Sequence, residues 1–451
     1  MRAFLLLLPF LSLFPSASAS LADDHRVVSL PGYGQVDGVY AGHVIANNSA
    51  DGHLWYMLFE QEDANVDTPL LIWLNGGPGA SSSLGNLLEN GPYRLNPNMS
   101  LTRNPSTWAN LGHSVYFDQP VGTGFSYAST EGYVANFKQI AEQFSTALDN
   151  FFDIHPKLRS ADTYITGESF AGVYIPVITS YLLERNKRLA EDKQVHLKGM
   201  IIGNPGNLHW TQYRAPIEYY YVQGLIGKDA KGEAEEMWRR VEALMGEGRE
   251  LEAFRTAEKM QEFMQATAGH PFLYDTRQWG DTFNNIYSTA MKEYFSRQDV
   301  AAALHTRGVE WQNGDGTATP NPVAIKLEGH LMTPVLKEVQ SILSAKLPTL
   351  IYAGVFDGSS CGHLSVVESL HMLNYEPFET ASRELWEGSD HPFGFVQSGG
   401  DLTFVWVSNS GHMVPTDQPE AALDMIRRFL NGRSLSGKDK MLVADAEKVI
   451  M

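Results

Sequence analysis

The sequence has only one cysteine, Cys361, among its 451 residues. A disulfide within the chain is therefore excluded, and core packing alone must hold the fold together. Basic residues are also few, with 34 Lys and Arg against 52 Asp and Glu and a net charge of −18. This acidic balance argues against nucleic acid or an anionic membrane as the main partner. Apolar residues are plentiful, at 43%, enough for one large core or for a core with an inserted second unit.

Long apolar runs are missing beyond the N-terminus. There, Arg2 is followed by a nearly continuous apolar run at 3–14 and by the small residues Ala17–Ala19. This pattern predicts a secretory signal peptide over 1–19 that is cut after Ala19. The alternative, a membrane anchor, is disfavoured because the run is far below the ~20 residues that a spanning helix needs. The mature protein is therefore expected to be soluble and to enter the secretory pathway.

Two sequons agree with that route and predict N-glycosylation at Asn47 and Asn98, whereas the proline after Asn104 blocks a third. Each sequon alone is a weak signal, because such triplets also arise by chance. Together with the signal peptide, they predict a glycoprotein.

Short apolar runs that end in Gly, Asn, Asp or Ser recur along the chain. They lie at 70–77, 114–120, 163–169, 199–205, 349–357 and 404–412. Helical patterns lie between some of them, for example Ile140, Phe144 and Leu148 at turn spacing. This alternation predicts an α/β fold, with a mostly parallel sheet covered by helices on both faces. Ligands of such sheets bind beyond the carboxyl ends of the strands, where the polar and glycine residues collect here.

Two regions depart from this alternation. The stretch 38–62 predicts an antiparallel hairpin around an Asn/Asp/Gly turn. Residues 206–330 carry charged helical patterns, which we interpret as a helical insertion and a candidate lid. The expected division after the signal peptide is a core in two parts and a poorly ordered tail, at 20–205, 331–435 and 436–451.

A strand, a tight turn and a helix surround Ser169 in the segment TYITGESFAGVYIP. This is the setting of a nucleophile elbow, in which a strained turn projects a serine hydroxyl above a sheet. Gly167 and Ala171 are the small residues two positions before and after the serine, and the alanine is a mild departure from the usual second glycine. The pentapeptide alone is weak, and the strand–turn–helix setting strengthens it.

A serine hydroxyl needs a base to take its proton, and the base needs an acid to orient it. In α/β-hydrolases the chain order is Ser, then Asp or Glu, then His. Asp357 and His412 follow predicted strands in that order, and we favour them over Asp401 and His391, neither of which ends a buried apolar run. The alternatives for the favoured pair are a turn residue and a histidine on an ordinary loop.

The oxyanion that forms on an attacked carbonyl needs backbone N–H donors. One donor is expected from Phe170, the residue after the nucleophile. The other is expected from the glycine-rich loop after the first of the runs above, which offers Gly76 and Gly77. A purely structural turn would explain the glycines but not their position at a strand end.

Four segments resemble the serine carboxypeptidase family. They are LLIWLNGGPGASSSLGNLLENGPYRLNP, SVYFDQPVGTGFSY, TGESFAGVYIP and NSGHMVPTDQPEAAL. The resemblance implies an α/β-hydrolase fold and a hydrolase that releases C-terminal amino acids from peptides or proteins through an acyl-enzyme. It implies Ser169, Asp357 and His412 as the triad, and Gly77 and Phe170 as the oxyanion hole. No cofactor or metal ion is expected, and a homodimer is left open.

The resemblance also implies that Asn75, Glu89 and Glu168, beside Trp73, hold the terminal carboxylate of the peptide. Carboxyl groups held close together cannot both lose their protons easily, so one pKa is raised. A protonated glutamate can donate to the substrate, which predicts tight binding at acid pH and a lysosomal, vacuolar or extracellular destination. Without the resemblance, Glu89 is better explained as a solvent-facing helix residue.

The chain departs from the family at its cysteines. Ala80 stands where the family has a cysteine, and Cys361 is either a free thiol near the substrate pocket or a buried inert one. Two alternative functions stay open: an acyltransferase of the same fold, and a non-catalytic stabilising or binding protein. The carboxylate-binding residues argue against the first, and the complete triad argues against the second as the sole role.

Overall fold

The computed structural model describes residues 21–280, 289–312 and 321–436. The predicted signal peptide, 1–19, and the predicted tail beyond Ser436 lie outside the described residues. Among the residues described, no helix has both the length and the apolar character to cross a bilayer.

The strands of the described chain, numbered in chain order, are β1 (Ser29–Leu30), β2 (Gly34–Gln35), β3 (Val39–Asn47), β4 (Gly52–Phe59), β5 (Leu70–Leu74), β6 (Tyr93–Leu95), β7 (Leu101–Arg103), β8 (His113–Phe117), β9 (Thr163–Glu168), β10 (Leu197–Gly203), β11 (Thr349–Gly354), β12 (Arg383–Glu387), β13 (Pro392–Gly399) and β14 (Leu402–Val407). Ten of them form one sheet in the order β12-β13-β14-β11-β10-β9-β5-β8-β4-β3. The pairs β1–β2 and β6–β7 form two small separate sheets.

The middle of the large sheet is parallel, from β8 through β5, β9, β10 and β11 to β14. Antiparallel strands lie at both edges: β4 and β3 on one side, β13 and β12 on the other. The predicted hairpin corresponds to β3 and β4, which are joined by a short 3₁₀ turn at Asn48–Ala50. The prediction of a mostly parallel α/β sheet is therefore confirmed.

The helices, numbered likewise, are α1 (Phe137–Ile154), α2 (Ala171–Asn186), α3 (Ala215–Val222), α4 (Lys228–Gly246), α5 (Glu250–Thr267), α6 (Thr289–Ser296), α7 (Gln298–Ala303), α8 (Pro322–Leu327), α9 (Leu336–Ser344), α10 (His363–His371), α11 (Glu376–Glu379), α12 (Val414–Asp417) and α13 (Pro419–Leu430). Helices α3 to α8 lie between β10 and β11, where the insertion was expected. The boundaries of that insertion and its role as a lid stay predictions.

Both faces of the parallel part of the sheet are buried, and alternate residues of its strands pack into different apolar clusters. On β5, Ile72 joins one cluster together with Phe144 of α1. The neighbouring residue Trp73 joins the other cluster, together with Met425 of α13 and Met291 of α6. The core thus has three layers, with the sheet in the middle.

The chain order of the strands indicates at which edge of the sheet a ligand can bind. From β5 the chain moves to β8 on one side and then returns to β9 on the other, so the connections diverge beyond the carboxyl end of β5. Such a switch point is where parallel sheets leave a crevice for ligands. The register aligns the carboxyl ends of adjacent strands, with Leu74 opposite Gly167 and Glu168 opposite Gly203. Residues that follow these strands therefore meet at one edge.

Candidate active site

Ser169 lies in the turn between β9 and α2. Its φ of 64° is in the left-handed region, which costs energy for a residue with a side chain and is typical of a nucleophile elbow. A Cβ at Gly167 would lie 2.0 Å from the Leu74 carbonyl oxygen, and one at Gly172 would lie 2.6 Å from the Gly206 carbonyl oxygen. These glycines therefore allow the close packing that holds the turn at the sheet edge.

His412 and Asp357 are brought together at the same edge, with His412 Nδ1 2.6 Å from Asp357 Oδ2. Both are buried. Because a carboxylate only accepts hydrogen bonds, Nδ1 donates and Nε2 is the nitrogen left to take up a proton. The competing candidates lie elsewhere: Asp401 precedes β14, at the amino end of that strand, and His391 is exposed.

Asp357 accepts hydrogen bonds from three donors in addition to His412. Asn204 Nδ2 donates to Oδ2 at 2.7 Å, and the Ser359 N–H and Oγ both donate to Oδ1, at 2.9 and 2.7 Å. Asn204 follows β10 directly, with a φ of 41°. Sequence reasoning assigned no role to either residue. The asparagine that ends the apolar run of β10 was the available signal for the first.

The loop after β5 lies directly against the elbow. A Cβ at Gly76 would be 2.2 Å from the Phe170 nitrogen and 2.8 Å from Ser169 Cβ, so only glycine fits there. The next residue, Gly77, has a φ of 105°, which also favours glycine. The two predicted oxyanion donors, the N–H groups of Gly77 and Phe170, therefore belong to backbone segments that are in contact beside the serine.

Asn75 has a fixed orientation next to this loop. Its Oδ1 accepts from Trp73 Nε1 at 2.7 Å and from the Gly85 N–H at 3.0 Å. The side-chain nitrogen must therefore point the other way, where it donates to Glu168 Oε1 at 2.9 Å. Gly85 is required for this arrangement, because a Cβ there would lie 2.1 Å from Trp73 Nε1.

Glu89 is buried beside Glu168, not solvent-facing. It ends a π-helical segment, Gly85–Glu89, and is 1% exposed. The two carboxyl groups are near enough for the charge of one to affect the pKa of the other. Both oxygens of Glu89 and Oε2 of Glu168 are buried without a donor from another described residue. Since carboxylates only accept, a hydrogen bond between these groups requires a proton on one of them.

The protonation of this pair follows from its surroundings. Burial raises the pKa of Glu89 to about 7, although hydrogen bonding to Glu168 opposes the rise. Burial also raises the pKa of Glu168 well above its usual range, and the adjacent Glu89 charge raises it further. Near neutral pH and below, the pair therefore holds at least one proton that a solvent-exposed glutamate would have lost.

Cys361 lies near Asp357 but carries no free thiolate. It is a buried, unpaired thiol, and a Cβ at Gly206 would lie 2.9 Å from its sulfur. Burial raises its pKa to about 12, and the nearby Asp357 charge contributes. The thiol is therefore protonated and unreactive at neutral pH, which agrees with the buried, inert alternative.

The fold and the arrangement of these groups are those of an α/β-hydrolase: a serine elbow, a histidine–carboxylate pair and a glycine loop at the carboxyl edge of a parallel sheet. The sequence pattern of a family described as serine carboxypeptidase matches residues 31–432. The chain therefore belongs to the serine carboxypeptidase family, and the predicted enzyme class, a serine-type carboxypeptidase, is confirmed.

Comparisons with individual relatives agree with this family assignment. The chain is similar to the pheromone-processing carboxypeptidase KEX1 of Chaetomium globosum, with 32% identity over 94% of this chain and 69% of the relative. It is also similar to that of Paracoccidioides lutzii, with 32% identity over 92% of this chain and 68% of the relative. A crystal structure of Kex1(delta)p, a prohormone-processing carboxypeptidase from Saccharomyces cerevisiae, superposes with a TM-score of 0.82. It covers 91% of this chain and 96% of its own at 24% identity, which supports the fold.

Proposed function

We propose that this carboxypeptidase removes single residues from the C-termini of peptides or proteins, most effectively at acid pH. One observation carries the proposal: a buried pair of glutamates, Glu89 and Glu168, of which Glu168 directly precedes the elbow serine. A free α-carboxylate can accept a hydrogen bond from this pair only while the pair holds a proton. An internal peptide bond offers no such charge, so the pair favours chain ends.

In the proposed mechanism, His412 Nε2 takes the proton of the Ser169 hydroxyl as Oγ attacks the scissile carbonyl. Asp357 accepts from Nδ1 and stabilises the imidazolium that forms. The N–H groups of Gly77 and Phe170 stabilise the oxyanion. The histidine then gives its proton to the leaving amine, and the C–N bond breaks.

The second half of the cycle releases the acyl group. Water takes the place of the departed amino acid, and His412 removes a proton from it as it attacks the ester carbonyl. The second tetrahedral intermediate collapses, the proton returns to Ser169 Oγ and the shortened peptide leaves as an acid. No group other than the triad and the oxyanion donors is needed for this step.

Substrate recognition is proposed for Trp73, Asn75, Glu89 and Glu168. Asn75 Nδ2 and the proton on the glutamate pair are the donors for the carboxylate. Trp73 fixes the Asn75 amide through its indole N–H, so it acts on the substrate through that residue. An acyl donor without a terminal carboxylate would leave these buried groups without a partner, which disfavours an acyltransferase.

The proposed location is the secretory pathway, with a lysosome, vacuole or the extracellular space as destination. Both sequons lie at turns where the asparagine Oδ1 accepts from the N–H and Oγ of the serine two residues on. Asn98 is exposed and Asn47 is partly exposed. Glycans at both sites and a homodimer belong to this proposal, and light scattering of the purified protein tests the dimer.

The deciding experiment compares N-blocked dipeptides that end in a free acid with the same peptides ending in an amide. At pH 5 the wild type should cleave the free acid at least tenfold more efficiently, and Ser169→Ala should cleave neither. Equal cleavage of acid and amide would refute the role of the glutamate pair. Activity that survives in Ser169→Ala would refute the nucleophile, whereas a scaffold role would leave both proteins inactive.

A further inference from the structure

The segment 271–278 of the insertion is hydrogen-bonded to the loop that carries Asp357. The Gly358 N–H donates to the Leu273 carbonyl oxygen at 3.0 Å, and the Thr276 N–H donates to the Phe356 carbonyl oxygen at 3.0 Å. These bonds lie immediately before and after the aspartate. The segment is therefore in direct contact with the acid end of the triad.

The same segment contacts the loop that carries His412. The backbone N–H of His412 donates to the Tyr274 carbonyl oxygen at 2.7 Å, and the Tyr274 ring lies 4.6 Å from the imidazole, centroid to centroid. The fit is tight, because a Cβ at Gly411 would lie 2.2 Å from the Tyr274 oxygen. One short piece of the insertion thus bridges both loops.

Arg277 is rigidly held within this segment. Its Nε and Nη2 donate to the two carboxylate oxygens of Asp275, at 2.8 and 2.7 Å. Gln278 Nε2 adds a third bond to Asp275 at 2.9 Å, and the Asp275 side chain is almost fully buried. A bidentate guanidinium–carboxylate pair with a buried acid fixes the direction of the remaining donors of the arginine.

Those remaining donors reach the His412 loop. Arg277 Nη1 donates to the Asn409 carbonyl oxygen at 2.8 Å, and Nη2 lies 3.4 Å from Asp417 Oδ2. The guanidinium also lies over the Phe356 ring, 4.8 Å from its centroid. Arg277 therefore contacts Phe356, the residue before Asp357, and Asn409, on the loop that carries His412. It contacts no side chain of the triad.

Asp417 connects Arg277 to the residues that directly precede His412. Its Oδ2 accepts from the Gly411 N–H at 2.7 Å and from Ser410 Oγ at 3.5 Å. Ser410 in turn accepts from the Phe356 N–H at 2.8 Å, through its carbonyl oxygen. The residues next to His412 and next to Asp357 are thereby linked to each other and, through Asp417, to the insertion.

We propose that Arg277 is a positioning residue that aligns the His412 loop with the Asp357 loop through Asp275, Asn409 and Asp417. The inference rests on the triad roles proposed above. Arg277 contacts no triad side chain, so it acts on the rate only through the placement of the imidazole. Small misplacements of a catalytic group cost rate steeply, on the order of a hundredfold for about 1 Å.

The test replaces Arg277 with alanine and measures kcat and KM separately on a free-acid dipeptide. We expect kcat to fall by about tenfold to a hundredfold while KM stays within about twofold, because the carboxylate-binding residues are untouched. Arg277→Lys keeps the charge but loses the forked geometry, so it should recover only part of the lost kcat.

Arg297→Ala is the matched control. Arg297 also forms a bidentate pair with an aspartate two residues away, Asp299, and lies over an aromatic ring, Tyr294. The side-chain exposures of Arg297 and Arg277 are 34% and 35%, but Arg297 contacts neither triad loop. We expect the control to keep wild-type kcat.

A kcat for Arg277→Ala within twofold of the control would overturn the proposal, as would a loss that appears in KM alone. If that variant does not fold, Asp417→Asn replaces it, since the amide keeps an acceptor for Gly411 and loses the ion pair; unchanged kcat there would equally overturn the proposal. Failure of the triad roles themselves is distinguishable, because Ser169→Ala would then stay active.

Discussion

Replacing both Glu89 and Glu168 with glutamine should abolish the pH dependence of substrate binding. Under the proposed binding role, Glu89 itself must be protonated to donate to the substrate carboxylate, because a proton on Glu168 alone leaves the Glu89 oxygens able only to accept. Glutamine keeps a donor at every pH and cannot ionise. Because Asn75 Nδ2 points at position 168, the amide introduced there must turn its oxygen to Asn75 and its NH₂ toward position 89. The double variant can therefore still bind a carboxylate.

The magnitude follows from the pKa of the pair. With the pKa of Glu89 at about 7, Glu89 is protonated in roughly nine tenths of the enzyme at pH 6 and in roughly one tenth at pH 8. KM of the wild type should therefore rise about tenfold between these two pH values. KM of the double variant should change by less than about twofold.

The raised pKa of Glu89 also makes the free energy of unfolding depend on pH. A raised pKa in the folded state means that the folded protein binds protons which the unfolded chain has already lost. The contribution of Glu89 to the free energy of unfolding should therefore fall as pH rises from the ordinary glutamate value of 4.5 toward about 7. A shift from 4.5 to about 7 corresponds to about 3 kcal/mol. The double variant should lack this slope.

The assay measures KM of a free-acid dipeptide from pH 5 to 8, with urea denaturation at each pH for stability. Glu258→Gln is the control, because the pKa of Glu258 is also raised but the residue is exposed on α5, away from the site. Its KM profile should match the wild type. A double variant whose KM still rises tenfold would show that another group causes the pH dependence, and the reasoning would be refuted.

Two further predictions concern the triad support and the sequons. Asn204→Gly removes the 2.7 Å bond to Asp357 but suits the left-handed backbone, so kcat should fall about tenfold with an unchanged fold by circular dichroism; wild-type kcat would contradict this. Asn47→Gln and Asn98→Gln should each remove one glycan, seen as a mass loss of the secreted protein, and the double variant should no longer shift on treatment with an N-glycosidase.

Sequence reasoning succeeded where the signal was local. The strand ends at Leu74, Glu168 and Gly203 could be predicted because apolar runs stop abruptly at glycine or polar residues there. The parallel register of the sheet then brings the residues after those strands to one edge. The glycines around Ser169 were likewise interpretable, because a strand–turn–helix with small flanking residues has few other uses.

The other features of the site depend on contacts between distant parts of the chain, which the local sequence pattern does not show. Asn204 and Asp357 are 153 residues apart, and nothing in the local pattern indicates that they meet. Arg277 is 140 residues from Asp417 and sits in a region whose helical patterns suggested only a lid. For Glu89, the surrounding helical pattern favoured exposure, and the resemblance to the family was needed to suggest otherwise; burial in fact comes from the π-helical segment packed against Trp73.

Under the proposed roles, binding and chemistry share the same two short backbone segments. Asn75 and Gly77 lie two residues apart in one loop, and Glu168 and Ser169 are adjacent in the other. Only three covalent bonds separate the scissile carbonyl carbon of a substrate from its terminal carboxylate carbon, so the two groups must bind within about 4 Å of each other. A peptide held by its end therefore presents its last peptide bond to the serine. Cleavage one residue from the terminus is the consequence of that fixed spacing, because neither loop can shift its binding group without also shifting its catalytic one.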